Sequence, residues 1–409
     1  MSRTPNPPGR TPLITRLGAI LLAIAIAAFS YQAGLRAGAG DGTGASGSVD
    51  LSRFNEVLDL VVQRHVGDET EQQLVDGAIK GLVESLNDPY SVYLTADEMQ
   101  SMIDGLSGSF EGIGATIETL TVAGEPCKEI SADCQLSVVA PIDGSPAEAA
   151  GLQSGDRIIA VDGANMYGET TDAAILRVRG KKGTTVVLSV VRGGAASIDI
   201  SIVRDTIIVP AVEPKTLTAP GGAQVGYLRL AEFSDVAGDQ FHSALQKVVD
   251  AGTTRVIIDL RDNPGGYLSA ALKIASEFIA DGTVYIEEER GGARTTTTAT
   301  PGGIATDPKI RLVVLVNNGS ASASEILAGA LQDRGRAQLV GETTYGKGVV
   351  QTFIDITGGY GLKLTIAKWL TPNGRWIHKT GLVPDVPVAA DEAGATPDPV
   401  LAKALELLK

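Results

Sequence analysis

The sequence predicts a multidomain α/β protein, and three observations carry that prediction. Its 409 residues exceed one core of ordinary size and leave room for two or three domains. The spacing of apolar residues changes along the chain. It is helical first, then alternating between Gly-rich turns, then a succession of strands and helices. A content of 44% hydrophobic and 20% charged residues excludes a disordered chain.

Residues 1–36 stand apart from the fold. Arg3, Arg10 and Arg16 precede an uncharged run, LGAILLAIAIAAFSYQAGL (17–35), long enough to span a bilayer with its basic flank in the cytoplasm. The expectation is a membrane anchor, with a cleaved signal peptide as the rival reading. Either places the rest of the chain outside the cytoplasm, in the periplasm or at the cell surface. The Gly/Ser-rich segment 37–50 is a spacer.

Residues 51–104 form a helical region. Phe54, Val57, Leu58, Val61 and Val62 make one apolar stripe, and Leu74, Val75, Ala78, Ile79, Leu82, Val83 and Leu86 a second. Such stripes serve packing, or else the surface of a homodimer or higher oligomer. Asn87-Asp88-Pro89 ends the second helix.

Residues 105–205 alternate as strands around tight turns, and FEGIG (110–114) with SPAEAAGLQSGDRI (145–158) resembles a PDZ domain. That resemblance implies a β-sandwich-like module that holds a peptide C-terminus on the loop of Phe110, Gly112, Ile113 and Gly114. There the carboxylate meets backbone N–H groups, and glycine leaves room for the approach. Cys127 and Cys134 lie in an insertion beside the groove. In an oxidising compartment they are candidates for a local disulfide, free thiols being the alternative, and two Cys without a nearby His make no zinc site. From 206 to 390, β-branched strands alternate with helices, and 391–409 ends in a short helix.

A net charge of −14 argues against a nucleic-acid partner. GETTYGKG (341–348) imitates a phosphate-binding loop but lacks the metal-binding Ser/Thr, and the strand-like GVVQTFIDI follows where a helix should start. No nucleotide, metal or other cofactor is expected. Upstream, NNGSASASEILAGAL (317–331) puts serines at a strand-to-helix turn, where one can be an exposed nucleophile facing helix-start N–H groups. The bland alternative is a capping box of Ser322 and Glu325, and spacing alone does not choose among Ser320, Ser322 and Ser324. His65, His242 and His378 sit in no motif that pairs them with a serine, whereas a buried lysine can act as base.

Taken together, NNGSASASEILAGALQDRGRAQLVGETTYGKGVVQT, DLRDNPGG (259–266) and LTPNGRWIHKTGLVPDV resemble the C-terminal processing (tail-specific) serine proteases, over roughly residues 51–409. The resemblance implies a ClpP/crotonase-like mixed α/β protease core and protein or peptide substrates bound by their C-termini. It further implies Ser322 as nucleophile, Lys347 as base, Gln351 as the residue orienting that lysine, and an oxyanion hole of Gly266 and Ala323 N–H groups, with Gly265 a near alternative. Asp333 is a weaker third candidate, Trp369 and Trp376 read as packing, and a catalytically silent PDZ scaffold is the rival function.

Overall fold

The computed structural model describes residues 49–389 and 398–409. The uncharged run 17–35 lies outside the described residues, and among the described residues no helix is long and apolar enough to cross a membrane. The chain divides into two compact units, residues 1–74 and 75–409. In the first, α1 (Ser52–Arg64) buries none of its residues, and α2 (Glu71–Glu84) begins.

The second unit opens with the rest of α2, the short strand β1 (Val92–Leu94) and α3 (Ala96–Ser107). A reciprocal capping box of Thr95 and Glu98 starts α3, and left-handed Gly108 stops it. The PDZ module follows as β2 (Ser109–Gly112), β3 (Ala115–Thr121), β4 (Cys134–Pro141), α4 (Pro146–Ala149), β5 (Arg157–Val161), β6 (Ala164–Asn165), α5 (Thr171–Val178), β7 (Thr185–Val191), β8 (Ile198–Val203) and β9 (Asp205–Ile208). Its antiparallel sheet runs β3-β4-β5-β7-β8, while β2 and β9 pair as a separate neck. Alternation along β7 sends Val186, Leu188 and Val190 into a core shared with Leu136, Ile158 and Ile202.

The C-terminal α/β core comprises β10 (Val212–Thr218), β11 (Gln224–Leu230), α6 (Ala237–Asp250), β12 (Arg255–Asp259), α7 (Leu268–Ser276), β13 (Thr283–Glu289), β14 (Arg294–Thr298), β15 (Arg311–Val316), α8 (Ala323–Asp333), β16 (Gln338–Gly341), β17 (Val349–Asp355), β18 (Gly361–Leu370), β19 (Val386–Pro387) and α9 (Pro399–Leu407). One sheet runs β10-β11-β12-β15-β16-β19, parallel from β11 onward. Its central strands are continuous apolar runs because both faces are covered: Val314 and Ile258 meet α6, α7 and α8, while Val313 and Ile257 meet the cluster of α9. A second, antiparallel sheet joins β18 to β1, β13 and β17. The helical region therefore contributes a strand to the core sheet, Val92 pairing with Lys363.

Buried Asp259, with Arg261, anchors the C-terminal helix. Arg261 binds Asp259 and, at 2.8 Å, Asp398, which caps α9. Within the PDZ module, Cys127 and Cys134 form a disulfide that closes the loop between β3 and β4. That loop is tied to the chain before α5 by Ile130 N–H donating to Glu169 O, and β3 beside it meets the start of α5 where the Thr119 and Thr171 hydroxyls lie 2.9 Å apart. A loop this short restricts the unfolded hairpin by about 2 kcal/mol. Replacing both cysteines by Ser is therefore expected to speed amide exchange over residues 119–134 roughly 30-fold. Unchanged exchange there would show that the crosslink is dispensable.

Candidate active site

The site forms where two loops leave the C-terminal ends of adjacent parallel strands, β12 and β15, the usual place for chemistry in such a sheet. Buried Asn263 knits these loops together. Its amide nitrogen donates to Leu230 O, its side-chain oxygen accepts from Gly265 N–H, and its carbonyl accepts from Ala321 N–H and the Ser324 hydroxyl. The Ser320 hydroxyl donates to Leu260 O at 2.8 Å. Ser320 and Ser324 are thus fully buried and committed to structure. Ser322 is the serine of the run that lines the cleft.

Ser322 stands at the start of α8 with φ 56° and ψ −115°, a strained backbone for any residue but glycine. Strain of this kind lifts a nucleophile out of a strand-to-helix turn. Gly265 presses against that turn, and a Cβ on it would come within 2.8 Å of Ser322 Cβ and 2.7 Å of Ala321 O. Gly265 N–H is engaged by Asn263, whereas no hydrogen bond among the described residues uses the N–H groups of Gly266 or Ala323. Of the alternatives for an oxyanion hole, Gly266 with Ala323 has the free donors.

Lys347 is held by its own backbone. Trp369 Nε1 donates to Lys347 O at 2.7 Å, and Trp376 Nε1 donates to Gly348 O at 2.8 Å, so both tryptophans do more than pack. A Cβ at Gly348 would meet His378 N at 2.8 Å and Trp376 Nε1 at 2.9 Å, which is why glycine follows the lysine. The Glu325 carboxylate, fully buried, joins this turn to the Ser322 turn. It accepts from Ser322 N–H at 2.9 Å, Gly346 N–H at 2.7 Å, Lys347 N–H at 2.9 Å and the Thr344 hydroxyl at 2.5 Å. Burial pushes its pKa up while these donors pull it back, with a net rise.

The Lys347 ammonium lies 5.1 Å from the centroid of the Tyr90 ring, a cation–π contact. Burial, helped by repulsion from Lys363 and opposed by Glu325 and Asp88, lowers its pKa to about 8. Tyr90 comes from the loop before β1 and shares a side-chain hydrogen bond with Tyr345. The same loop orients Gln351. Asp88 accepts from the Ser91 hydroxyl, Ser91 Oγ accepts from Thr365 N–H, and Thr365 Oγ1 accepts from the Gln351 amide at 3.2 Å. That chain spends the amide nitrogen and leaves the Gln351 carbonyl oxygen as an acceptor. Among the described residues, no hydrogen bond joins Lys347 Nζ to Ser322 or Gln351. Ser322, Lys347 and Gln351 line one cleft of about 730 Å³ together with Met102, Leu106, Gly266 and Phe353.

The other candidates fall elsewhere. Asp333 binds Arg375 and, at 2.9 Å, Asn373 N–H, so it braces a turn and takes no part in the cleft. His378 stacks on Trp376 with ring centroids 5.3 Å apart, and its Nδ1 is buried without a partner. In the PDZ module the carbonyls of Ile113 and Gly114 accept from Ala147 and Ile142 N–H, and no backbone bond among the described residues uses their own N–H groups. Gly114, at φ 76°, could not carry a Cβ without meeting Ser145 at 2.5 Å. Among the described residues no acidic, His or Cys cluster could hold a metal ion.

Comparisons with known proteins agree with this architecture. Residues 224–388 match peptidase family S41, residues 137–192 match the PDZ domain, and residues 31–98 match the activating protease CtpB N-terminal domain. The chain is 37% identical to the carboxy-terminal processing protease CtpA of Bacillus subtilis, over 85% of this chain and 71% of that one. It is 36% identical to CtpB of the same organism, over 83% and 68% respectively. A solved structure of an S41 protein from Bacteroides fragilis covers 90% of this chain and 99% of its own at TM-score 0.51 and 18% identity, a likeness of fold alone.

Because Glu325 faces three N–H donors, an amide there would turn its NH₂ on at least one of them. Glu325→Gln is expected to cost about 2 kcal/mol of stability and about 100-fold in activity, read by thermal unfolding and by peptide hydrolysis. Full activity in that variant would show that the two turns hold their places without the carboxylate.

Proposed function

The chain belongs to peptidase family S41 and is a serine-type endopeptidase of the carboxy-terminal processing group, and from that premise we propose that Ser322 is its nucleophile and Lys347 its general base. The observation that carries this is the cleft itself. It joins the one serine of the run that lines it to a lysine whose burial favours the free amine. The Ser322 hydroxyl proton passes to Lys347 Nζ as its oxygen bonds the scissile carbonyl carbon. The resulting oxyanion is received by Gly266 and Ala323 N–H. The lysine then returns the proton to the leaving amine as the C–N bond breaks, and water, activated by the same lysine, releases the acyl group. Rotation of Lys347 from the Tyr90 ring toward Gln351 Oε1 assembles the site. An uncharged partner suits this task, because a carboxylate there would keep the lysine protonated.

The PDZ module binds substrate C-termini at the Phe110–Gly114 loop, supported by the unused N–H groups of Ile113 and Gly114. The catalytic part acts outside the cytoplasm, a reading supported by the basic and then uncharged N-terminus and by the disulfide.

A protonated lysine cannot accept the serine proton, so activity falls below a base pKa of about 8. Hydrolysis of an unstructured protein is expected to rise about tenfold from pH 7 to pH 9, and Ser322→Ala and Lys347→Ala each to lose about 1,000-fold or more. A rise complete by pH 7, together with loss of activity in His378→Ala, would instead make histidine the base. Binding of C-terminal peptides to Ser322→Ala, followed by fluorescence anisotropy, is expected to weaken about tenfold when the peptide is amidated. Equal binding of acid and amide would remove the C-terminus from the recognition.

A further inference from the structure

The cleft holds a second lysine that the proposed reaction leaves unused. Lys363 lies on β18 opposite Phe353, two residues before Thr365, which lies opposite Gln351. Directly opposed and alternate residues share a face of the strand pair. Lys363, Phe353, Gln351 and Thr365 therefore present one surface, and Lys363, Gln351 and Phe353 line the cleft beside Ser322. Along β17, Gln351 comes first after Lys347 and the Phe353–Lys363 pair lies beyond it.

The ammonium of Lys363 is half-buried, and no ion pair among the described residues includes it. Its nearest organised contact is the Phe353 ring, 6.0 Å from Nζ to centroid. Asp88, which acts on it electrostatically, is already committed to the Ser91 hydroxyl and Tyr90 N–H. Glu232 is the one acidic residue in the cleft lining. A partly desolvated cation with no ion-pair partner is costly even with Asp88 acting on it, and part of the cost is recovered when a carboxylate enters. The rest of this surface is apolar or neutral, so an arriving carboxylate meets no competing acid on it. A chain laid along the free edge of β17, which pairs with β18 alone, would carry its groups past Lys363.

We propose that Lys363 forms a carboxylate-binding subsite inside the catalytic cleft. It takes a peptide carboxylate, either the chain's own terminus or an Asp or Glu side chain. The subsite is separate from the PDZ loop, and it rests on the Ser322/Lys347 reading of the cleft.

The test is a peptide series of one sequence on the full chain at one pH. Each position near the scissile bond carries Glu or Gln in turn, and the terminus is acid or amide. Wild type is expected to favour one carboxylate-bearing member about tenfold in kcat/KM over its neutral twin. Lys363→Met is expected to bring that ratio near one, and Lys363→Arg to keep it. A ratio of two substrates on one enzyme cancels any change in the Lys347 base. The PDZ loop's own preference for a free terminus persists in Lys363→Met, so only the lost part of a terminal preference belongs to Lys363. A Glu-position response assigns the subsite to side chains, and an acid-versus-amide response assigns it to the terminus. Ratios that are the same in wild type, Lys363→Met and Lys363→Arg overturn the subsite while leaving the protease intact. Absence of any cleavage by wild type would instead overturn the catalytic reading. Should Lys363→Met unfold, the comparison of Lys363→Arg with Lys363→Gln decides in the same way.

Discussion

One buried carboxylate holds the catalytic centre together. Glu325 is fully buried at the start of α8, and its two oxygens gather N–H groups from the serine turn and the lysine turn, which are distant in sequence. An isolated ionised carboxylate would be costly in that place. Four donors offset the cost, and three of them are backbone N–H groups, so they fix chain positions rather than side-chain rotamers. With both turns fixed, Ser322 can keep a strained φ that a freer loop would relax.

Lysine chemistry sets a second constraint. As the proposed base, Lys347 must lose its proton near neutral pH while Glu325, close by, favours the charged form. Desolvation is the larger effect and wins, with Lys363 adding to it. The aromatic ring of Tyr90 gives the resting ammonium a soft partner without the strong proton-holding pull of a carboxylate.

Much of this was legible in the sequence, and the reason is locality. The serine run, the Gly-Lys-Gly turn and the strand after it are short segments legible from their neighbours alone. The choice of Ser322, Lys347 and Gln351 among their residues rests on the resemblance to C-terminal processing proteases. The apolar strands of the parallel sheet are legible for the same reason. The contribution of Asp88, Tyr90 and Ser91 was not, because it depends on β1 crossing to β18. Trp369 and Trp376 read as packing, since nothing local reveals that an indole N–H meets the carbonyl of a residue some twenty positions away. Nor could spacing separate Gly265 from Gly266. That distinction rests on which amide Asn263 has already taken.

The crossing of β1 into the core sheet bears on how such an enzyme can be divided. Its sequence invites a cut near residue 206, with recognition on one side and hydrolysis on the other. A chimera or expression fragment made there would inherit Ser322, Lys347 and Gln351, the proposed nucleophile, base and orienting residue. It would keep Thr365, which takes the glutamine amide, but would leave behind the aromatic floor beneath the lysine and the Asp88–Ser91 pair that braces Thr365 through its N–H. Modularity in this molecule belongs to the PDZ insertion, whose neck closes on itself through β2 and β9. The catalytic unit is discontinuous, beginning upstream of the module that interrupts it.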